Sequence, residues 1–429
     1  MRTLWFVIYN IIGVPFLWVF FRLYSLFNSK VKEGFTMRRD LFSNLDRSLS
    51  VSEKNKRVLI HSSSLGEFQQ ALPIVEEFRR KNYDVILSFF SPSGFNNSKI
   101  SFDNVIKTYI PFDSASNQKK FLEIIKPEII IFMRYDLWYN LLYESKKRNI
   151  KTVLANARYD EKDLTWKIPV VSSFKKTLYG MIDDLFVIDD FDESNYKRKL
   201  SDEKVKIVKI GDSKFERVFQ SAKRFSDSEK TLPAEAVKDK KIFVMGSSWK
   251  DDEDVILPAI NKSLEFDKDL LTILVPHEPK DSKIDAIERF IENKYQNIKA
   301  IRFSEISNYK DENFIIIDRI GLLSKLYSAA YLSYVGGGFK TGLHNILEPA
   351  IFNMPILFSN KVKNSDEDEI LISAGCGFVV TDTKQFYRLF REFLNNRNYR
   401  DKTGEKCSIV FEDKIGVAKK IVNQIAIKS

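Results

Sequence analysis

Short apolar runs alternate with helical patterns in two separate series, and that rhythm narrows the fold more than any other feature of this chain. Residues 58–60, 85–89, 129–132, 152–155, 185–188 and 205–210 read as strands, mostly buried. Segments such as 67–81 and 137–147 carry apolar side chains at helical spacing between them. This alternation predicts a parallel sheet covered on both faces, because parallel strands need crossovers long enough to hold a helix. The rhythm lapses over a charged, Ser- and Lys-rich stretch containing Pro233, then resumes at 242–245, 271–275, 314–317, 331–335 and 356–358. The pattern predicts an α/β chain of two doubly wound, Rossmann-like domains, 29–220 and 241–429, facing a cleft and joined by a linker at 221–240. A chain of 429 residues is also longer than one hydrophobic core comfortably serves.

The segment before the first domain has a different character. Residues 4–21 carry no charge and are rich in aromatics near their end, and Arg22, Lys30, Lys32, Arg38 and Arg39 follow. About 18 residues of helix reach about 27 Å, just enough for a bilayer core. Residues 1–28 are therefore expected to be an uncleaved membrane anchor, since no small-residue cleavage site follows the apolar run. Pro15 and Asn10 leave open whether the helix crosses the bilayer or lies in its interface. If it crosses, the trailing cations place the body on the cytoplasmic side.

The formal net charge of +10 would suit nucleic acid, an anionic membrane or phosphorylated substrates. It is spread along the chain with no aromatic-interleaved basic stripe, so nucleic acid is the weakest of the three. Cys376 and Cys407 lack metal-ligand spacing and read as free thiols of a reducing compartment.

Ligands of doubly wound sheets bind beyond the carboxyl ends of the strands. The first strand runs into His61-Ser62-Ser63-Ser64-Leu65-Gly66-Glu67, which sets Glu67 near a helix N-terminus, either facing the cleft or acting only as a capping carboxylate. In the second series a strand leads to Gly336-Gly337-Gly338 and then His344-Asn345-Ile346-Leu347-Glu348-Pro349. Glycines there expose amides to a phosphate, and Glu348, about one turn into the next helix, is placed to accept from ribose hydroxyls. The three histidines, His61, His277 and His344, all fall in segments that follow expected strands. The acidic runs Asp190-Phe191-Asp192 and Asp251-Asp252-Glu253-Asp254 read as helix starts rather than metal sites.

His61–Glu67 resembles the opening signature of the lipid A Kdo transferases, glycosyltransferases that move 3-deoxy-manno-octulosonic acid (Kdo) from CMP-Kdo. Further matches follow in order: Ser91-Pro92-Ser93-Gly94, Tyr109-Ile110-Pro111-Phe112-Asp113, Asn156-Ala157-Arg158, Gly211-Asp212-Ser213-Lys214-Phe215, Gly246-Ser247-Ser248-Trp249, Val275-Pro276-His277 and the His344 segment. The resemblance implies a GT-B fold and an inverting transfer with no cofactor and no metal. It implies Glu67 as proton acceptor and Lys214 as stabiliser of developing charge. It assigns CMP to His277, Glu278, Ile320, Gly321, Leu322, Asn345, Ile346, Leu347 and Glu348. The partners it implies are CMP-Kdo, a lipid A precursor and inner-membrane lipids.

The chain also departs from the family. Met133-Arg134-Tyr135-Asp136-Leu137-Trp138-Tyr139-Asn140 puts Arg134 where the family has a glutamate credited with transition-state stabilisation. Pro276-His277-Glu278-Pro279 lacks the family's arginine, and Gly321-Leu322 lacks its glutamate. A GT-B transferase using a different nucleotide sugar, or a non-catalytic homologue, are the competing readings.

Overall fold

A computed structural model describes the chain except for residues 51–54, 101, 224–230, 338, 340–341, 361–366 and 427–429. The chain divides into two units, Met1–Arg217 with Gly416–Ser429, and Val218–Ile415.

The first unit holds a seven-stranded sheet: β1 (Arg57–Ser62), β2 (Asp84–Phe89), β3 (Val105–Tyr109), β4 (Ile129–Met133), β5 (Lys151–Ala157), β6 (Asp184–Val187) and β7 (Lys206–Lys209). Every pair is parallel, in the order β3-β2-β1-β4-β5-β6-β7. The second unit repeats the plan with β8 (Lys241–Ser248), β9 (Leu270–Pro276), β10 (Ala300–Arg302), β11 (Phe314–Ile316), β12 (Leu332–Val335), β13 (Ile356–Ser359) and β14 (Gly377–Val380). Its order is β10-β11-β9-β8-β12-β13-β14, again all parallel. The expected α/β architecture of two doubly wound units is present. Strand order reverses between β1 and β4 and between β8 and β12, so loops diverge there and leave room for a ligand.

Three strands escaped the apolar pattern. β3 and β10 are half-buried edges that carry Lys107 and Arg302, and β14 is a four-residue edge beginning at Gly377. The C-terminal helix Val417–Ala426, expected to close the second domain, instead belongs to the first unit. Its Val417, Ala418, Ile421, Val422 and Ile425 are buried against the β1 and β2 core, and Glu216 accepts the Ala418 N–H at 2.8 Å. Cys376 and Cys407, read as free thiols, are joined in a disulfide with Cα atoms 5.5 Å apart. Their separation of 31 residues concealed that the helix Arg397–Glu412 returns beside Cys376, which precedes β14.

The N-terminal segment is one continuous helix, Arg2–Tyr24, with a π-helical turn at Tyr9–Gly13. Its first half is docked along the first unit. Asn10 and Asn140 exchange side-chain hydrogen bonds at 2.9 and 3.0 Å, Trp5 donates to Ser173, and Tyr139 donates to the Arg2 carbonyl at 2.7 Å. Phe6 stacks on Tyr143 with centroids 4.2 Å apart. Tyr9 donates at 3.0 Å to Asp113, whose fully buried carboxylate also accepts the Asn140 and Leu141 N–H groups that open the helix Tyr139–Lys147. Burial pushes the Asp113 carboxyl up to about 6, despite those bonds. Asn10, which weakened the case for a span, thus has a buried partner on the body. The outward side remains apolar, with Leu4, Val7, Ile11, Ile12, Phe16, Phe20 and Leu23 exposed.

Candidate active site

In the first unit the site grows from the carboxyl ends of β1, β4 and β5. Ser64 caps the helix Leu65–Arg80 by accepting the Glu67 N–H, and Glu67 Oε2 accepts the Ser63 N–H and, at 2.8 Å, the Ser63 hydroxyl. The capping role is therefore real, but it occupies one oxygen. Among the described residues Oε1 has no hydrogen-bond partner. Burial pushes the Glu67 carboxyl above its ordinary value and nearby Asp136 adds to the rise, while the Ser63 bonds and His61 oppose it. A carboxylate raised in this way is a better proton acceptor than a free one.

Next to it, His61 is fully buried at the end of β1, with Ser88 Oγ 2.9 Å from Nδ1 and Asp136 Oδ2 2.8 Å from Nε2. A tautomer with the proton on Nε2 satisfies both contacts, and Trp138 then donates its indole N–H to Asp136 at 3.3 Å. Asp136 is thereby tied to the wall of the site.

Arg134 follows β4 in the left-handed region at φ 64°, a conformation that costs a non-glycine residue energy. Its Nε donates to Gln70 at 2.9 Å and its guanidinium lies 3.6 Å from Asp212 Oδ2. Asn156, also left-handed at φ 54°, donates to Asp212 and, at 2.7 Å, to Ser213. Ser213 Oγ donates to the Gln70 carbonyl at 2.6 Å. Sequence segments around 134, 156 and 212 thus converge on Gln70, one turn along the helix from Glu67. Lys214 lies half-buried in the first turn of the helix Ser213–Lys223, its N–H given to Asp212 at 2.8 Å. Gln70 escaped sequence reasoning because nothing distinguishes it from the polar residues of an ordinary amphipathic helix.

In the second unit the loops after β8, β9 and β12 meet. Trp249 and His277 stack at 4.8 Å, His277 and His344 at 4.3 Å, and Trp249 donates to His344 Nε2 at 3.1 Å. Burial, then the neighbouring His277, pushes the His344 ring down to about 4. His344 is therefore neutral at pH 7, with Nε2 accepting and Nδ1 carrying the proton. Its folded value lies below the unfolded one, so this group's stabilising contribution is lost as pH falls from about 6.5 to about 4. Allowing for its partial exposure, the loss is about 2 kcal/mol. Urea unfolding at pH 7 and pH 4.5 checks this: His344→Gln is expected to show a smaller difference between the two than the wild type.

Asp252 ties this corner together. Its carboxylate accepts the Trp249 N–H at 2.9 Å, the Gly337 N–H at 2.9 Å and the Tyr334 hydroxyl at 2.7 Å. The acidic run does open a helix, Lys250–Ser263, yet Asp252 and Glu253 within it are buried. Gly337 sits at φ 92°, where a Cβ would stand 2.5 Å from the Gly342 carbonyl and 2.7 Å from the His344 ring, so only glycine fits. Gly338, Lys340 and Thr341 of the glycine-rich segment lie outside the described residues.

The helix expected after those glycines is short, Leu347–Ala350, so Glu348 is its second residue rather than one turn in. Glu348 accepts from Asn345 at 3.0 Å and from Ser324 at 2.7 Å, and so joins the helix Leu323–Tyr327 just past Gly321-Leu322. Ile346 and Leu347 are core side chains. Ile320 is 88% exposed, Gly321 is open at φ 92°, and Glu278 is exposed and paired with Lys280 at 3.0 Å.

Residues 36–217 match the family described as 3-deoxy-D-manno-octulosonic-acid transferase (kdotransferase). The 3-deoxy-D-manno-octulosonic acid transferase of Haemophilus influenzae is 26% identical over 85% of this chain and 86% of its own length. That of Rickettsia bellii is 25% identical over 96% of each. The chain is similar to Kdo transferases along nearly its whole length.

A bifunctional glycosyltransferase/methyltransferase of Fusobacterium nucleatum subsp. nucleatum is 26% identical over 93% of this chain, which spans 61% of that relative. Among solved structures, the UDP-GlcNAc 2-epimerase of Neisseria meningitidis superposes with a TM-score of 0.61 at 14% identity, covering 87% of this chain and all of its own. A glycosyltransferase from Rickettsia africae gives 0.55 at 11%, covering 87% and 98%. These likenesses concern the fold, which is the GT-B architecture.

Proposed function

We propose that this chain is a Kdo transferase that moves Kdo from CMP-Kdo to a lipid A precursor such as lipid IVA, inverting the anomeric centre with Glu67 as the base. The observation that carries the reading is Glu67 at the end of β1, one oxygen pinned by Ser63 and its carboxyl raised by burial. Glu67 takes the proton from the attacking acceptor hydroxyl as the new glycosidic bond forms. The bond from Kdo to the CMP phosphate breaks, and the phosphate leaves as an anion that needs no proton. Charge building on that phosphate is met by Lys214.

CMP binds the second unit, its ribose at Asn345 and Glu348 and its neighbouring groups against His277, Glu278 and the 320–322 turn. Arg134 is engaged with Asp212 and Gln70 and is a framework residue here, so the missing family glutamate is not replaced by a second free carboxylate at that position. The reaction uses no metal and no cofactor. The body works at the cytoplasmic face of the inner membrane, held there by the apolar outer side of the N-terminal helix lying in the interface.

The stereochemistry of the product and its metal dependence test this mechanism. NMR of the purified product is expected to show an anomeric configuration opposite to the donor's, with the rate unchanged by EDTA. Retention of configuration, or loss of activity that added divalent cation restores, would contradict it.

A further inference from the structure

Between the N-terminal helix and the sheet lies a cavity of about 510 Å³ that the reaction as described does not use. Its walls are mainly apolar and aromatic, among them Trp18, Phe21, Val31, Phe35, Phe42 and Phe90. Lys30, Arg38 and Arg39 also line it, and among the described residues no Asp or Glu does.

Arg38 is the telling member. Its guanidinium donates to three backbone carbonyls, Ile110 at 2.8 Å, Gly34 at 2.8 Å and Phe90 at 2.7 Å, and is flanked by the Phe90 and Tyr109 rings. Carbonyls take one hydrogen from each of its nitrogens but leave its charge uncancelled, and among the described residues it has no carboxylate partner. Burial pushes it down to about 10, still protonated at pH 7. An apolar hollow rimmed by uncompensated cations suits a ligand with a hydrocarbon tail and an anionic head.

The cavity opens beside the membrane-facing helix and backs onto the base. Trp18, Phe21 and Tyr24 of that helix form one wall, while Phe16, Phe20 and Leu23 remain exposed beside them. On the opposite wall, the Ser91 N–H bonds to the Ser63 carbonyl at 3.1 Å, and Ser63 holds Glu67. Phe90 packs on Trp138, with centroids 5.1 Å apart, beside the His61–Asp136 pair. A tail seated here would leave its head group one loop from the catalytic carboxylate.

We propose that this cavity seats an acyl chain of the acceptor itself, a phosphorylated glycolipid, with a phosphate at Lys30 and Arg39 over the half-buried Arg38. The proposal rests on the lipid-acceptor reading above and adds the subsite that selects an acylated substrate.

The test uses the full chain in nanodiscs and a tetraacylated, bisphosphorylated glucosamine disaccharide with a diazirine in one acyl chain. After irradiation, label is expected on residues 28–42 and 90–93, displaced by unlabelled acceptor but not by phosphatidylglycerol. Val31→Trp, which fills the hollow, and Arg39→Glu, which reverses charge at its rim, should each lower labelling by about fivefold or more. CMP binding, measured in parallel, should be unchanged in both and reports that they fold. Label confined to the outward side of residues 4–27, equal displacement by phosphatidylglycerol, or full labelling of both variants would overturn the assignment. Labelling as expected in an enzyme that transfers no Kdo would instead sink the reaction and leave the lipid subsite standing.

Discussion

Glu67→Gln is expected to lower kcat by about a hundredfold to ten-thousandfold, with the KM for donor and acceptor changed little. The amide keeps the size and can still accept from Ser63, so the helix start survives while the capacity to take a proton is lost. The pH dependence carries a second signature. Burial holds the Glu67 carboxyl above the ordinary carboxylate range, so wild-type activity should fall as pH drops through that raised value. Ser63→Ala, which deletes one bond to the ionised form, should move that acidic limb to higher pH. Rate measurements from pH 4 to 9 on the three proteins check both statements. A Glu67→Gln enzyme of undiminished rate would leave Glu67 as a helix cap and favour a non-catalytic homologue.

The largest expected effect on stability comes from Asp252→Ala. Three donors lose their acceptor: the Trp249 and Gly337 amides and the Tyr334 hydroxyl. Asp252 is 1% exposed, so water cannot readily replace the carboxylate. At about 1–3 kcal/mol for each stranded group, partly relieved by relaxation, the loss should be about 4 kcal/mol. Asp252→Asn keeps an oxygen acceptor and should lose much less, and the difference between the two urea midpoints is the quantity to measure. Because Gly337 is pinned by this carboxylate next to His344, Asp252→Ala should also weaken CMP binding.

The repeated strand–helix rhythm carried the architecture well, because buried parallel strands such as β4 and β11 read as unbroken apolar runs. β3, β10 and β14 were hidden because edges of a sheet are only partly buried and tolerate Lys107, Arg302 and Gly377. Pairings between distant segments were equally hidden. The motif ending in Asp113 marked a family, but its carboxylate turns out to dock Tyr9 of the N-terminal helix and to open the helix at Tyr139. Arg134 stood out as a departure, yet only the three-dimensional arrangement pairs it with Asp212 and Gln70. Asp252 looked like one acid among four in a solvated helix turn, and its burial beneath Gly337 leaves no trace in local sequence. His277 and His344, by contrast, were singled out by position after strands and do come together as a stacked pair.

Purified wild-type enzyme would be given freshly generated CMP-Kdo and a lipid A precursor, and the lipid product read by mass spectrometry. A product heavier by whole Kdo residues, formed with stoichiometric release of CMP, is the predicted result. Unchanged lipid from a folded enzyme that instead binds UDP and consumes a UDP-sugar would contradict it.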